Sequence, residues 1–250
     1  MVRYHPNIHD EPNHTTAFLS VDETIMKYHQ TDISKMVAEF QLENSPTDRY
    51  ASFDYCYHYF HPTTANDLLG EIEKSCLSLG FYLASWGMLR GSSFLLNKSV
   101  KHYEPLIRFI AGLDHSVWDI DVDQYSDENI RKICSIYRKI QNIIVNNGNS
   151  HLTLVTKIML GVFGFIPAYD NFFGNTFRDI FKGICGFRSV NQKSLHCIKQ
   201  FYIDNREEID KYSSKIFVKK FATGHDSGIT YTKSKVIDMY GFNKGLKQST

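Results

Sequence analysis

The chain carries almost no net charge. Its 28 Lys and Arg stand against 27 Asp and Glu, leaving +1 over 250 residues. A protein that coats nucleic acid regardless of sequence needs a broad basic field, so that class is excluded; a local basic face is not. Paired cysteine motifs are missing too. The five Cys, at positions 56, 76, 134, 185 and 197, show no C-x-x-C spacing. An odd number of isolated thiols on apolar segments fits reduced, buried cysteines in a cytoplasmic chain, and no zinc site is legible. Long hydrophobic runs are absent, since Lys, Gly or Pro interrupts each within about a dozen residues, and a bilayer span needs about 20. Residues 1–14 are polar and His-rich, unlike a secretory signal. Internal repeats, low-complexity tracts, sustained heptads and the alternating strands of a doubly wound sheet are also lacking.

What remains is an aromatic, helix-patterned chain. Fifteen Tyr and 18 Phe, set against only 22% charged residues, must line a core or a binding surface. Ile33, Met36, Val37 and Phe40 repeat at helical spacing. An aromatic helix spans 50–60 and closes at His61-Pro62. Asn66 or Asp67 caps a long helix through Leu69, Ile72, Cys76, Leu79 and Leu83. A further helix fits 100–113. Ser126 caps one that carries Ile130, Ile133, Ile136, Tyr137, Ile140 and Ile144, and Asn146-Asn147-Gly148 ends it. Shorter helices are expected at 175–184, 190–203 and 205–221, then a loop or small hairpin at 222–235. The expected fold class is therefore all-α: an irregular arm over 1–20, then one helical domain over 21–250.

The most informative stretch runs from Thr156 to Asp170. Lys157 stands near the start of an apolar helix, and Pro167-Ala168-Tyr169 leads into Asp170, 13 positions later. Asp170 falls at the start of the next helix, where free amides and the helix dipole favour a carboxylate. An amine and an acid are thus brought toward one buried helix end, which suits chemistry at an electron-poor carbon. The bland alternative is a snorkelling lysine and an ordinary cap.

Over roughly residues 126–180, this order of helix, turn, helix with Lys157, Pro-x-x and Asp170 resembles the core of the helix-hairpin-helix DNA glycosylases. The resemblance implies a two-lobed helical body with a cleft, and a DNA partner. It implies Lys157 as the Schiff-base lysine and Asp170 as support for the departing base and the sugar cation. The chain departs from the family in two places. Leu152-Thr153-Leu154-Val155 stands where the hairpin is normally Gly-rich, and the Lys-to-Asp spacing is short. Under this reading the protein flips out and excises a damaged or modified base, in repair or in defence against foreign DNA. It needs no cofactor or metal and works as a monomer. The alternative is a non-enzymatic helical module that binds nucleic acid or a protein.

Other residues complete the expected site. Ser85, Trp86 and Arg90 lie in a stretch dense in Gly and Ser, where Arg90 suits a phosphate and Trp86 a base. Tyr169 and Asn171 flank Asp170 and are assigned to substrate. Lys193 and Lys199 open a basic run to Lys220 that could track a DNA backbone, or form a solvated face with pairs such as Glu207–Lys211. His58 and His61 share a helix face without a third ligand. Asp119-Ile120-Asp121-Val122-Asp123 reads as a solvated loop that lacks the Gly and closing Glu of a calcium hand.

Overall fold

The computed structural model describes residues 23–42, 44–145 and 151–249, with side chains from residue 32 onward. The expected arm at 1–20 and the turn at Asn146-Asn147-Gly148 lie outside the described residues. The fold is all-α with one small hairpin. In order come α1 (Glu23–Leu42), α2 (Ser52–Phe60), α3 (Ala65–Gly70), α4 (Ile72–Ser85), α5 (Glu104–Ala111), α6 (Asp127–Ile144), α7 (Leu152–Phe163), α8 (Asn171–Ile180), α9 (Gln192–Asp204) and α10 (Arg206–Ser213). Strands β1 (Phe217–Lys219) and β2 (Asp226–Thr230) follow, paired antiparallel with Phe217 opposite Thr230, and α11 (Lys233–Lys247) closes the chain. Among the described residues no helix is long and apolar enough to cross a membrane.

At the centre is α7, which packs on α2, α4 and α6. All its residues from Leu154 to Phe163 are buried, as a helix apolar on every side requires. The carbonyls at its C-terminal end and just past it, which have no helical partner, are met by side chains from elsewhere. Trp118 Nε1 donates to Val162 O (2.8 Å), Thr232 Oγ1 to Gly164 O (2.7 Å), and Tyr125 Oη and Ser234 Oγ both to Phe165 O (2.5 and 3.1 Å). On the other side α11 packs against α8, α1 and α10.

Several elements differ from the sequence pattern. The long helix expected through Leu69 and Leu83 is two helices, because Glu71 leaves helical geometry between α3 and α4. Its cap is Thr64, whose hydroxyl accepts from Asp67 N, in place of Asn66 or Asp67. Helix 205–221 stops at Ser213, where the chain turns into the β-favouring run Ile216–Val218. There Ser213 Oγ donates to Tyr231 O (2.8 Å) and Tyr231 N to Ile216 O (2.9 Å). The acidic run is no free loop either. It links two 3-10 turns, His115–Asp119 and Val122–Gln124, and the carboxylate of Asp121 accepts from Lys233 N (2.6 Å) and Ser234 N (3.0 Å) at the start of α11. Ser126 does cap α6, accepting from Asn129 N.

Candidate active site

Lys157 lies in the second turn of α7 and is 5% exposed. An ammonium placed there must find partners. Its Nζ donates to Trp86 O (2.7 Å), stands 3.8 Å from Asp170 Oδ2, and lies 5.7 Å from the centre of the Trp86 ring. Burial pushes the Lys157 amine below the ordinary lysine range; Asp170 and Asp238 oppose that shift, while Arg49 and Arg90 add to it. Burial also pushes Asp170 above the usual carboxylate range, with Lys157 and the Phe173 amide pulling the other way.

Two sets of contacts fix Asp170. As the cap of α8, it accepts from Phe173 N (2.9 Å). The turn before it is tied to α7 and α11. Tyr169 N donates to Thr156 Oγ1 (2.9 Å), Thr153 Oγ1 donates to Tyr169 O (3.0 Å), and Ala168 N donates to Asp238 Oδ1 (3.0 Å). Thr156 and Lys157 are neighbours, so α7 both presents the amine and holds the turn that delivers the acid.

A second buried ion pair lies close by. Lys235 Nζ meets Asp238 Oδ2 at 2.9 Å, with both side chains almost wholly buried. The same ammonium lies 4.5 Å from the Phe53 ring centre, 4.6 Å from that of Trp86 and 5.1 Å from that of Phe40. Aromatic faces attract a cation, which offsets part of its desolvation. Asp238 therefore serves two elements at once: it neutralises Lys235 and anchors Ala168.

Lys157 and Asp170 open into a cleft of about 870 Å³. Arg49 and Tyr50 wall it on one side, and the loop from Trp86 to Leu95 on another. The start of α8 contributes Asn171, Phe172 and Asn175, the end of α11 Phe242 and Leu246, and the residues after it Ser249. Tyr50, Phe172 and Phe242 form an aromatic wall, with ring centres 5.9 Å apart for Tyr50–Phe242 and 5.3 Å for Phe172–Phe242. Gly87 has φ 77°, and a Cβ there would lie 3.0 Å from Arg90 Nε, so the glycine lets the guanidinium fold against its own loop. The charged lining is Arg49, Arg90 and Lys157 against Asp170 alone, which favours an anionic ligand. The indole Nε1–H of Trp86 is buried with no described acceptor.

Of the residues singled out in the sequence, Lys157, Asp170, Trp86, Arg90 and Asn171 line this cleft. Ser85 does not; it lines a separate cavity, and its carbonyl accepts from Arg49 Nε. Tyr169 is 2% exposed and stacks on Phe173 with ring centres 5.4 Å apart, so its ring anchors the turn and does not reach the cleft. Lys193 and Lys199 sit on α9, outside the cleft lining, and Lys199 Nζ donates to Tyr125 O (2.9 Å). Arg49, Phe172 and Phe242 escaped the sequence reading because no local spacing links them to Lys157; Tyr50 stood in it as the start of the aromatic segment 50–60. Among the described residues no three His, Cys, Asp or Glu side chains gather to hold a metal ion. The five cysteines are free thiols. Comparison of the chain with family models, curated proteins and solved structures finds no match.

Proposed function

We propose that the protein is a DNA glycosylase with lyase activity that removes a damaged or modified base, in repair or in defence against foreign DNA. The observation that carries this reading is the approach of the Lys157 amine to the Asp170 carboxylate, 3.8 Å apart, in a cleft that also presents Arg49 and Arg90. A nucleotide brings a phosphate for the guanidiniums, a flat ring for the aromatic wall, and an anomeric carbon for the pair. The likeness of residues 126–180 to helix-hairpin-helix glycosylases supports the same assignment.

In this mechanism the flipped nucleotide enters the cleft, and the ionised Asp170 stabilises positive charge growing on the sugar as the C1′–N bond lengthens. The base leaves with the bonding electron pair and takes up a proton. Lys157 rests as an ammonium beside Asp170; burial weakens its hold on the proton, and once that proton has left, the amine forms a bond to C1′ and loses a second proton. The C1′–O4′ bond of the sugar then breaks, O4′ leaves with the electron pair and takes up a proton, and the nitrogen lone pair closes a C1′–N imine that borohydride reduces to a stable amine. The chemistry draws on side chains alone, in a monomeric, cytoplasmic enzyme. A non-catalytic module that binds through the 193–220 face has less support. Lys199 is held by a carbonyl, Lys211 faces Glu208 at 3.5 Å, and Arg206 faces Asp210 at 3.3 Å.

The test is base release from single-stranded and duplex DNA carrying a panel of modified bases, with borohydride trapping. Lys157→Ala and Asp170→Asn are expected to remain folded and to lose release by at least about 100-fold, the scale of a missing nucleophile or charge stabiliser. The trapped adduct should vanish in Lys157→Ala. Release unchanged in both variants overturns the proposal.

A further inference from the structure

A second cavity of about 560 Å³ adjoins the cleft, and Arg49 belongs to the walls of both. Ser85 lines the second cavity while Trp86, the next residue, lines the first. Arg49 Nε donates to the Ser85 carbonyl, so the Arg49–Ser85 contact is the ridge between them. The two spaces differ in character. The second brings four rings to its wall, those of Tyr55, Tyr59, Phe81 and Phe221. Phe81 is 68% exposed and Phe221 79%. Two large rings held in water at the mouth of one cavity are unusual on a protein surface that serves no contact. Phe221 stands edge-on to Tyr55 with centres 5.2 Å apart, and Tyr55 Oη is fixed to Pro46 O (2.5 Å), so these rings form a set platform.

We infer that this second cavity is a stacking subsite for the base next to the target on the same strand, with Arg49 holding the phosphate between the two nucleotides. The inference rests on the glycosylase reading and narrows its substrate to single-stranded or locally unpaired DNA. Charge supports that occupant. No described carboxylate pairs with the Arg49 guanidinium; Lys74, the other cation in the wall, is paired with Glu71 at 2.6 Å, which leaves Arg49 as the cation open to a phosphate. Asp48, the one carboxylate in that wall, is engaged by Ser45 N (2.8 Å). A ring platform beside a cation on a ridge matches the repeating base–phosphate–base unit of an unpaired strand. A base within a duplex already has both faces stacked and its edge paired, and would have to give these up to enter.

The experiment uses a short oligonucleotide that carries a pyrrolidine analogue of the sugar cation, which needs no knowledge of the target base. A 2-aminopurine sits on either side as a fluorescent neighbour. Binding is read by anisotropy, and stacking by quenching of the 2-aminopurine. Wild type should bind the single strand about tenfold or more tighter than the duplex and quench one neighbour. Phe81→Ala/Phe221→Ala, which removes only exposed rings, should stay folded, lose about tenfold in single-strand affinity and abolish the quenching, as expected for one lost stacked base. Wild type that binds neither strand form overturns the glycosylase reading together with the subsite. Binding that the double variant leaves intact, or equal affinity for duplex, overturns the subsite alone.

Discussion

Lys157 keeps its place because three groups share its charge: a carbonyl, a carboxylate and an indole face. Lys235 has a similar set in Asp238 and three rings. Two buried ammonium groups around one tryptophan are costly unless each keeps its anion. Asp238→Asn would strip Lys235 of the one carboxylate that touches it among the described residues, while the amide oxygen could still accept from Ala168 N. The expected loss is about 3–5 kcal/mol, the usual scale for stripping one partner from a buried pair. Lys235→Met/Asp238→Asn removes both charges and should recover most of it. Urea unfolding of the two variants checks this; a double variant as unstable as the single would show that the charge pair is not the cause. Lys157 and Asp170 were visible in the sequence as the only charged residues between 152 and 170. The buried pairing of Lys235 with Asp238 could not be read there, because α11 carries other charges and its burial on nearly all sides comes only from packing.

The packing of α8 on α11 sets where Asp170 stands. Gly245 of α11 lies against the backbone of Phe172, and a Cβ there would fall 2.1 Å from Phe172 O. No side-chain rotation relieves a clash with a carbonyl, so Gly245→Ala must push α8 away from α11. We expect a loss of about 2 kcal/mol or more, on the scale of overpacking, and a larger fractional loss of base release than of stability, since Asp170 moves with the helix. Thermal unfolding beside single-turnover kinetics measures both; full activity in this variant would mean that α8 does not set the acid. Element by element, legibility followed locality. The Ser126 cap and the apolar stripe of α6 are local signals, and both could be read. The end of α10 at Ser213 is decided by contacts across the chain, those of Tyr231 with Ile216 and Ser213, which no window of neighbouring residues contains. The cleft wall at Arg49 and Tyr50 is of the same non-local kind.

The whole molecule is closed by Asp54, which joins α2 to the hairpin and to the approach to α11. It accepts from Lys219 N (3.2 Å) and from the hydroxyl of Tyr231. Burial pushes its carboxyl up to about 6, against 3.8 when free. The folded state thus holds this proton more tightly than the unfolded chain does. Its stabilising effect is complete below pH 4 and is lost as pH rises through about 6. From this group alone, unfolding free energy should fall by roughly 2 kcal/mol between pH 4 and pH 7. Asp121 and Asp170, also raised by burial, act with the same sign. Urea titrations across that range should show the slope, and Asp54→Asn should flatten it; a slope unchanged in the variant assigns it elsewhere. Trp86 carries a further consequence. The chain has only two tryptophans, and the ring of this one has two ammonium nitrogens within 6 Å. Indole emission shifts with the local electric field, so any occupant that draws the Lys157 amine aside will change the colour of the protein's own fluorescence, making occupancy of the cleft visible without a label.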